Sequence, residues 1–246
     1  MIKGLSYVKS MNGGGSRSQL LECDDGHSYV VKLIGNQQGN HILANEMASY
    51  YIAKELDLPV PEAVIIDIPL ELVTEINTKT RLSLRPGPAF GSHWLHQDHR
   101  IIVPGNNSDL VKQTENKSKW LGVVVFDTLI QNDDRKGEHI LIGIASDQSS
   151  QFYVIDHGHT LGTLQKWGSL NINSLRIRNI YPDIQYDGRD KTFYRAKLER
   201  FNLEELMKKI ERLPLNEWEV QGQEVELLGR YMKAAIPRTI ELLLST

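Results

Sequence analysis

The densest group of chemistry-bearing side chains is Asn132-Asp133-Asp134-Arg135-Lys136-Gly137-Glu138-His139, which lies between two apolar runs. Two adjacent carboxylates followed by a cation, in a short loop pinned on both sides, suit a base that orients a hydroxyl and neighbours that hold a metal. The same residue types also make an ordinary solvated turn. A further carboxylate, Asp156, stands at the mouth of the apolar run Phe152–Ile155 and is followed by His157-Gly158-His159. A carboxylate at a strand end, with a glycine two residues on to let the chain turn, can present an oxygen ligand to a divalent cation. His157 and His159 with His139 also offer three imidazoles, but without the spacing of a zinc-binding helix.

Lys32 ends a Val-Val-Lys run on an expected strand, where a lysine can reach nucleotide phosphates or simply face solvent. Glu46 bears on that choice. On a helix its neighbours at three, four and seven residues are Ile42, Leu43, Tyr50 and Ala53, and the opposite side carries Ala44, Ala48, Ile52 and Leu56. A carboxylate there is costly to bury unless a cation pairs with it, and Lys32, one loop upstream, is the natural partner. Upstream again, Gly13-Gly14-Gly15 with Ser16 and Ser18 can bring backbone N–H groups and hydroxyls against an anion. No Gly-Lys-Ser/Thr follows, so this is not a Walker A loop, and the run also suits a plain flexible hairpin. Cys23 has no recognisable His or Asn partner, and no Gly-x-Ser-x-Gly elbow is present.

The elements that must position these residues fall into two parts. In the first hundred residues, strands are expected at Gly4–Lys9, Leu20–Glu22, Tyr29–Ile34, Val64–Ile68 and near Phe90–Leu95, with the Asp24-Asp25-Gly26 turn joining the second and third. One helix runs from about Asn40 to Leu56 and is ended by Leu58-Pro59-Val60-Pro61. Residues 77–110 read as irregular and as the junction between lobes. Beyond them, Trp120–Ile130 is apolar on most sides, as a buried helix is. Short strands are expected at Ile140–Ile144 and Phe152–Ile155, and helices at Phe193–Leu213 and Glu224–Leu244, the last kinked or broken at Pro237. Residues 157–192 show little periodicity, which in a compact fold points to function or mobility.

Composition narrows the classes. The chain has 246 residues, 40% hydrophobic and 24% charged, which excludes disordered and fibrous classes. No apolar run approaches the length that crosses a bilayer, and the first residues lack the apolar region of a signal peptide. A single cysteine excludes an internal disulfide and a cysteine-built metal site. These features imply a cytoplasmic protein with no membrane partner. A formal net charge of −3 argues against direct nucleic-acid binding as the main task.

Taken in order, the glycine/serine loop, Val-Val-Lys32, Ala-Asn-Glu46, Leu-Pro-Val-Pro-Glu62, Ala-Phe90-Gly91-Ser92, Phe-Asp127 running to Asn132-x-Asp134-Arg135, and Ile-Asp156-His157-Gly158 resemble the HipA-like kinase family in its compact, kinase-core-only form. The resemblance implies an α+β, two-lobed protein-kinase-like fold. Residues 1–100 would form a strand-rich nucleotide-binding lobe with one main helix, and residues 101–246 a mainly helical catalytic lobe. It implies ATP as phosphoryl donor, Mg²⁺ or Mn²⁺ as cofactor, a protein Ser/Thr hydroxyl as acceptor and an antitoxin-like regulator as partner.

By position, Gly13, Gly14, Gly15, Ser16 and Ser18 would cover the phosphates, with Lys32 touching them and Glu46 holding Lys32. The two serines would also be autophosphorylation sites. Phe90–His96, with Trp94 and Leu95, would approach the adenine. Asp134 would be the catalytic base braced by Arg135, and Asp156 a metal ligand. The family places an asparagine ligand a few residues beyond the catalytic aspartate, where this chain has His139, a nitrogen donor that suits Mn²⁺ or zinc better than Mg²⁺. Lys136 stands where the family commonly has a histidine or a small polar residue. The departure implies either an altered metal set or a pseudokinase that binds nucleotide or a protein partner without efficient transfer. With Lys32, Asp134 and Asp156 all present, an active kinase is expected. A small-molecule or lipid acceptor on the same scaffold is the other class.

Overall fold

Apolar residues on alternating strand positions close the first hundred residues into a barrel. A computed structural model describes residues 1–11, 15–162 and 166–245, so Gly13 and Gly14 of the expected phosphate loop lie outside the described residues. Strands β1 (Ile2–Ser10), β2 (Gln19–Cys23), β3 (Ser28–Lys32), β4 (Ala63–Ile68) and β5 (Gly87–His93) pair in the order β1-β2-β3-β5-β4 and close through a parallel β1–β4 contact. The Asp24-Asp25-Gly26 turn joins β2 to β3, with Gly26 in the left-handed region that a glycine adopts without strain. Leu21, Val31, Ile66 and Ala89 fill the barrel together with Leu72, Val73 and Ile76 of helix α2 (Leu70–Thr80).

Helix α2 departs from the expectation of a single helix in this part of the chain. Its apolar stripe is only three residues wide, and threonines at 74, 78 and 80 weaken its helical propensity, so packing into the barrel rather than local sequence makes it a helix.

Helix α1 (His41–Glu55) is buried on nearly every side, as its all-round apolar pattern requires. It packs in the large core shared with the C-terminal part, not in the barrel. That part contains a three-stranded antiparallel sheet in the order β6-β7-β8 (Arg100–Ile102, Ile140–Ile144, Ser150–Val154) and helices α3 (Ser108–Lys112) and α4 (Trp120–Leu129). Every residue of α4 is buried, so the loop that follows it starts from an immobile base.

The helix expected at Phe193–Leu213 is two: α5 (Gly188–Glu199), begun by an Asp187/Asp190 capping box, and α6 (Leu203–Glu211), capped by Asn202. Helix α7 (Gly222–Ser245) passes through Pro237 without ending. Its buried face, with Leu228, Met232 and Ala235, packs against α4, α5 and α6, and that burial offsets the hydrogen bond the proline cannot make. Residues 157–187 contain only short 3₁₀ turns among those described, yet Leu161, Trp167, Tyr181 and Ile184 anchor them in the core. Among the described residues no helix is long and apolar enough to cross a membrane.

Candidate active site

A cleft of about 800 Å³ opens between the barrel and the helical part. Part of its lining is an apolar slot formed by Val30, Val60, Ala63, Phe90, Leu141 and Val154. Trp94 and Leu95 border that slot, just past the end of β5; Leu95 is buried and Trp94 stacks on His96 with ring centroids 4.2 Å apart. The same lining gathers Gly15, Ser16, Ser18, Lys32, Glu46, Asp134, His139 and Asp156. The structure therefore brings together all the described sequence-selected residues except Arg135, which lies behind them. Ser16 and Ser18 are buried, with hydroxyls 3.2 Å apart.

Lys32 ends β3 opposite Phe90 of β5, and this pairing fixes where its side chain emerges. Its ammonium donates to Glu46 Oε1 and, at 2.7 Å, to Asp156 Oδ1. Burial alone would lower the Lys32 pKa, but Glu46 and then Asp156 outweigh it and hold the ammonium above its ordinary range. Burial pushes Glu46 up against the pull of Lys32. For Asp156 burial is again the largest influence and an upward one, but Lys32 overcomes it and keeps the carboxyl well below the usual range. The second oxygen of Glu46 accepts the His157 backbone N–H at 3.0 Å. Glu46 thus ties three elements: β3, its own helix and the turn after β8.

That turn differs from the expected one. The left-handed residue is Asp156 itself (φ 60°), a conformation aspartate tolerates better than most side chains. Gly158 serves close approach instead. A Cβ there would lie 3.3 Å from both Lys32 Nζ and Glu46 Oε1 and 3.4 Å from Ile42 Cβ. Asn45 of α1 donates to the Gly158 carbonyl at 2.9 Å and accepts from Trp167 Nε1 at 2.8 Å, so α1 is clasped to the segment after β8. Sequence reasoning misses Asn45; the signal for it is an amide beside Glu46 on a helix that is apolar at Ile42, Ala48 and Ile52.

The loop after α4 is braced from behind. Arg135 Nε and Nη2 grip the two oxygens of Asp127 at 2.9 and 2.8 Å, a buried bidentate pair, and Nη1 donates to the Ile155 carbonyl at 3.0 Å. Arg135 therefore couples the Asp134 loop to the residue before Asp156. Asn132 adds a bond to Asp127 Oδ1 at 2.8 Å and accepts the Asp134 N–H at 3.1 Å. Asp134 is left facing the cleft, and among the described residues its carboxylate meets only Lys136 Nζ, at 2.7 Å.

His139 Nε2 lies 3.7 Å from the Asp156 oxygen that Lys32 does not take, and its buried Nδ1 has no hydrogen-bond partner among the described residues. Burial lowers its pKa, so the ring is neutral and can act as a ligand. One carboxylate oxygen and one neutral imidazole nitrogen on the same space fit a divalent ion completed by phosphate oxygens and water. Among the described residues no three His, Cys, Asp or Glu side chains form a self-contained metal site. The three-imidazole zinc set is not assembled: His157 packs on Phe126, and His159 Nε2 meets Gln38 Nε2 at 2.5 Å.

A measurable pH dependence follows. Burial holds His41, His139 and His157 below the ordinary imidazole value, with Arg135 adding to the effect on His157. Unfolded, each takes up a proton near pH 6.5, so the unfolded chain binds more protons there than the folded one. The stability these rings contribute is whole above that pH and is lost as pH falls below it. The thermal midpoint is expected to be lower at about pH 5.5 than at about pH 7.5. An equal or higher midpoint at the acidic pH would contradict the neutral, buried rings.

A strand barrel carrying a paired lysine, above a helical part that presents an aspartate loop, is the protein-kinase-like fold. Solved structures share it. The Helicobacter pylori proinflammatory kinase CtkA matches 98% of this chain and 95% of its own, at 12% identity and a TM-score of 0.64. The Golgi casein kinase matches 100% of this chain and 74% of its own, at 12% identity and a TM-score of 0.58. Its structure with Mn/ADP bound gives 13% identity and a TM-score of 0.54. The chain belongs to the HipA-like kinase family, whose profile matches residues 6–243. It is accordingly an ATP-dependent phosphotransferase. A search of curated protein sequences returns no match.

Proposed function

We propose that this kinase transfers the γ-phosphate of ATP to a serine or threonine hydroxyl of a protein, in the cleft between lobes formed by residues 1–100 and 101–246. The observation that carries the reading is Lys32 Nζ set between Glu46 and Asp156 in the same cleft as Asp134. The apolar slot beside Trp94 and Leu95 suits an adenine, and Gly15, Ser16 and Ser18 suit the phosphates. Lys32, kept charged, gives its ammonium to phosphate oxygens while Glu46 fixes its position. Asp134 accepts the acceptor's proton as the hydroxyl oxygen attacks the γ-phosphorus, whose bond to the β–γ bridging oxygen breaks to release ADP. Arg135, locked to Asp127, sets the separation of Asp134 and Asp156. Asp156 and His139 would hold the divalent ion, which when bound supplies positive charge to the phosphates. The Mn/ADP complex of the Golgi casein kinase supports nucleotide and metal use on this fold.

Incubation with γ-labelled ATP, Mg²⁺ or Mn²⁺ and a mixture of protein acceptors tests the reading, with Asp134→Ala alongside. Label in the wild type alone is expected. No label in either would favour the second reading, nucleotide binding without transfer, which the His139 position motivates, and equal label in both would remove Asp134 as the base. The metal pair makes its own prediction. His139→Asn replaces a nitrogen donor by an oxygen and should raise Mg²⁺-supported turnover relative to Mn²⁺-supported turnover several-fold. An unchanged ratio removes His139 from the metal set.

A further inference from the structure

Residues 157–182 contain Lys166, Arg176 and Arg178 and no Asp or Glu, in a chain of formal net charge −3. Two of these cations converge on the loop that carries Asp134. Arg178 Nη2 lies 2.6 Å from Asp133 Oδ1, and its Nη1 donates to the Asp133 carbonyl at 3.3 Å. Arg176 Nη2 stands 4.0 Å from Asp133 Oδ2, beyond hydrogen-bond distance. The three side chains border an open cavity of about 300 Å³ whose rim also includes Gln131, Asn173 and Ser174. The Asp133 and Arg176 side chains are 69% and 67% exposed, so this cluster contributes little to stability. Asp133 also uses only part of what the arginines offer, since each guanidinium carries five N–H donors in a fork matched to carboxylates.

We propose that Arg176 and Arg178 form an acceptor subsite for a carboxylate-rich polypeptide, binding Asp or Glu residues that flank the phosphorylated hydroxyl. Asp133 occupies the subsite internally until the acceptor's carboxylate displaces it. The inference rests on Asp134 being the base. Asp133 and Asp134 are consecutive but line different cavities, so an extended acceptor seated on Arg178 would cross the loop to reach the Asp134 carboxylate within a few residues, at roughly 3.3–3.6 Å per residue. Lys136, paired with Asp134, adds a third cation beside the path and offsets the negative charge of the loop. A nucleic acid would share the attraction to arginine, but among the described residues none that line this cavity supplies an aromatic face on which bases stack.

Fluorescence anisotropy with the full chain tests this using three fluorescein-labelled peptides, each with a central serine flanked by Glu, Gln or Lys. The Glu peptide is expected to bind roughly tenfold tighter than the Gln peptide, with the difference shrinking as salt rises. Arg176→Gln/Arg178→Gln should erase the preference, and Arg176→Glu/Arg178→Glu should turn it toward the Lys peptide. Asp133→Asn should tighten the Glu peptide several-fold, which a merely structural ion pair would not do. Circular dichroism melts confirm that each variant is folded. Equal binding of the three peptides, a preference surviving in the glutamine variant, no gain in Asp133→Asn, or tighter binding of a labelled oligothymidylate would each overturn the proposal. Transfer from labelled ATP to the same peptides separates it from the reading of the base. A Glu peptide bound but never phosphorylated leaves the subsite and removes Asp134's role. Phosphorylation of the Lys peptide in preference to the Glu peptide does the reverse.

Discussion

Lys32→Met is expected to abolish transfer and to destabilise the fold by about 3–5 kcal/mol, the usual cost of stripping one partner from a buried ion pair. The magnitude follows from what is left behind. Lys32 is 6% exposed and Glu46 2%, so water cannot replace the lost ammonium, and methionine fills the space without offering a donor. Glu46 keeps the His157 N–H, but one of its oxygens is stranded. Asp156 also loses its ammonium partner, though its side chain is 32% exposed and partly solvated. The pH response has a defined sign. Burial already raises the Glu46 pKa, and removal of Lys32 raises it further. A group with a raised folded-state pKa adds stability below that pKa and loses it as pH rises through it. Lys32→Met should therefore recover part of its deficit on mild acidification, opposite in direction to the buried histidines. Lys32→Met/Glu46→Gln should regain most of the lost stability and none of the transfer. Urea unfolding midpoints and labelled-ATP turnover read the two effects separately. A single variant as stable as wild type would refute the buried pair.

The same pair shows how far the sequence reached. A carboxylate ringed by Ile42, Leu43, Tyr50 and Ala53 must find a cation, and Lys32 was the nearest strand-borne one; this is legible because burying an unpaired charge is so costly. The barrel strands and α4 were legible for a related reason, since their apolar patterns leave few alternatives. What escaped depends on tertiary contact. Helix α2 has too narrow a stripe to declare itself and forms because the barrel needs a plug. The break before α6 rests on a single Asn202 cap. Pro237 misleads because local propensity is overridden by a helix packed on three others. At the site, the bracing of Asp127 by Arg135 joins residues eight apart across a helix end, and only the fold makes them face each other. By sequence Gly158 suggests a turn, whereas its lack of a side chain lets Lys32 and Glu46 approach.

Asp134→Asn is expected to cut transfer by roughly 10²–10⁴-fold while leaving the fold intact. Asparagine keeps the shape and the backbone N–H bond to Asn132, so the loop stays seated on Asp127 and Arg135. It loses only the ability to take a proton. The single ion pair broken is with Lys136, both side chains being well exposed at 40% and 57%, and such pairs contribute about 0–1 kcal/mol. ATP affinity should hold, because Asp134 is not one of the side chains that form the apolar slot and the Lys32 cluster retains its charges. The loss should therefore fall on kcat and not on KM for ATP. Arg135→Met serves as the contrasting variant. It also reduces transfer, but by freeing a buried Asp127 it lowers the unfolding midpoint sharply. An Asp134→Asn protein that unfolds early, or that transfers phosphate at the wild-type rate, would assign this aspartate to bracing or to neither task; a stable, nucleotide-binding protein that has lost only the chemical step is what a general base leaves when removed.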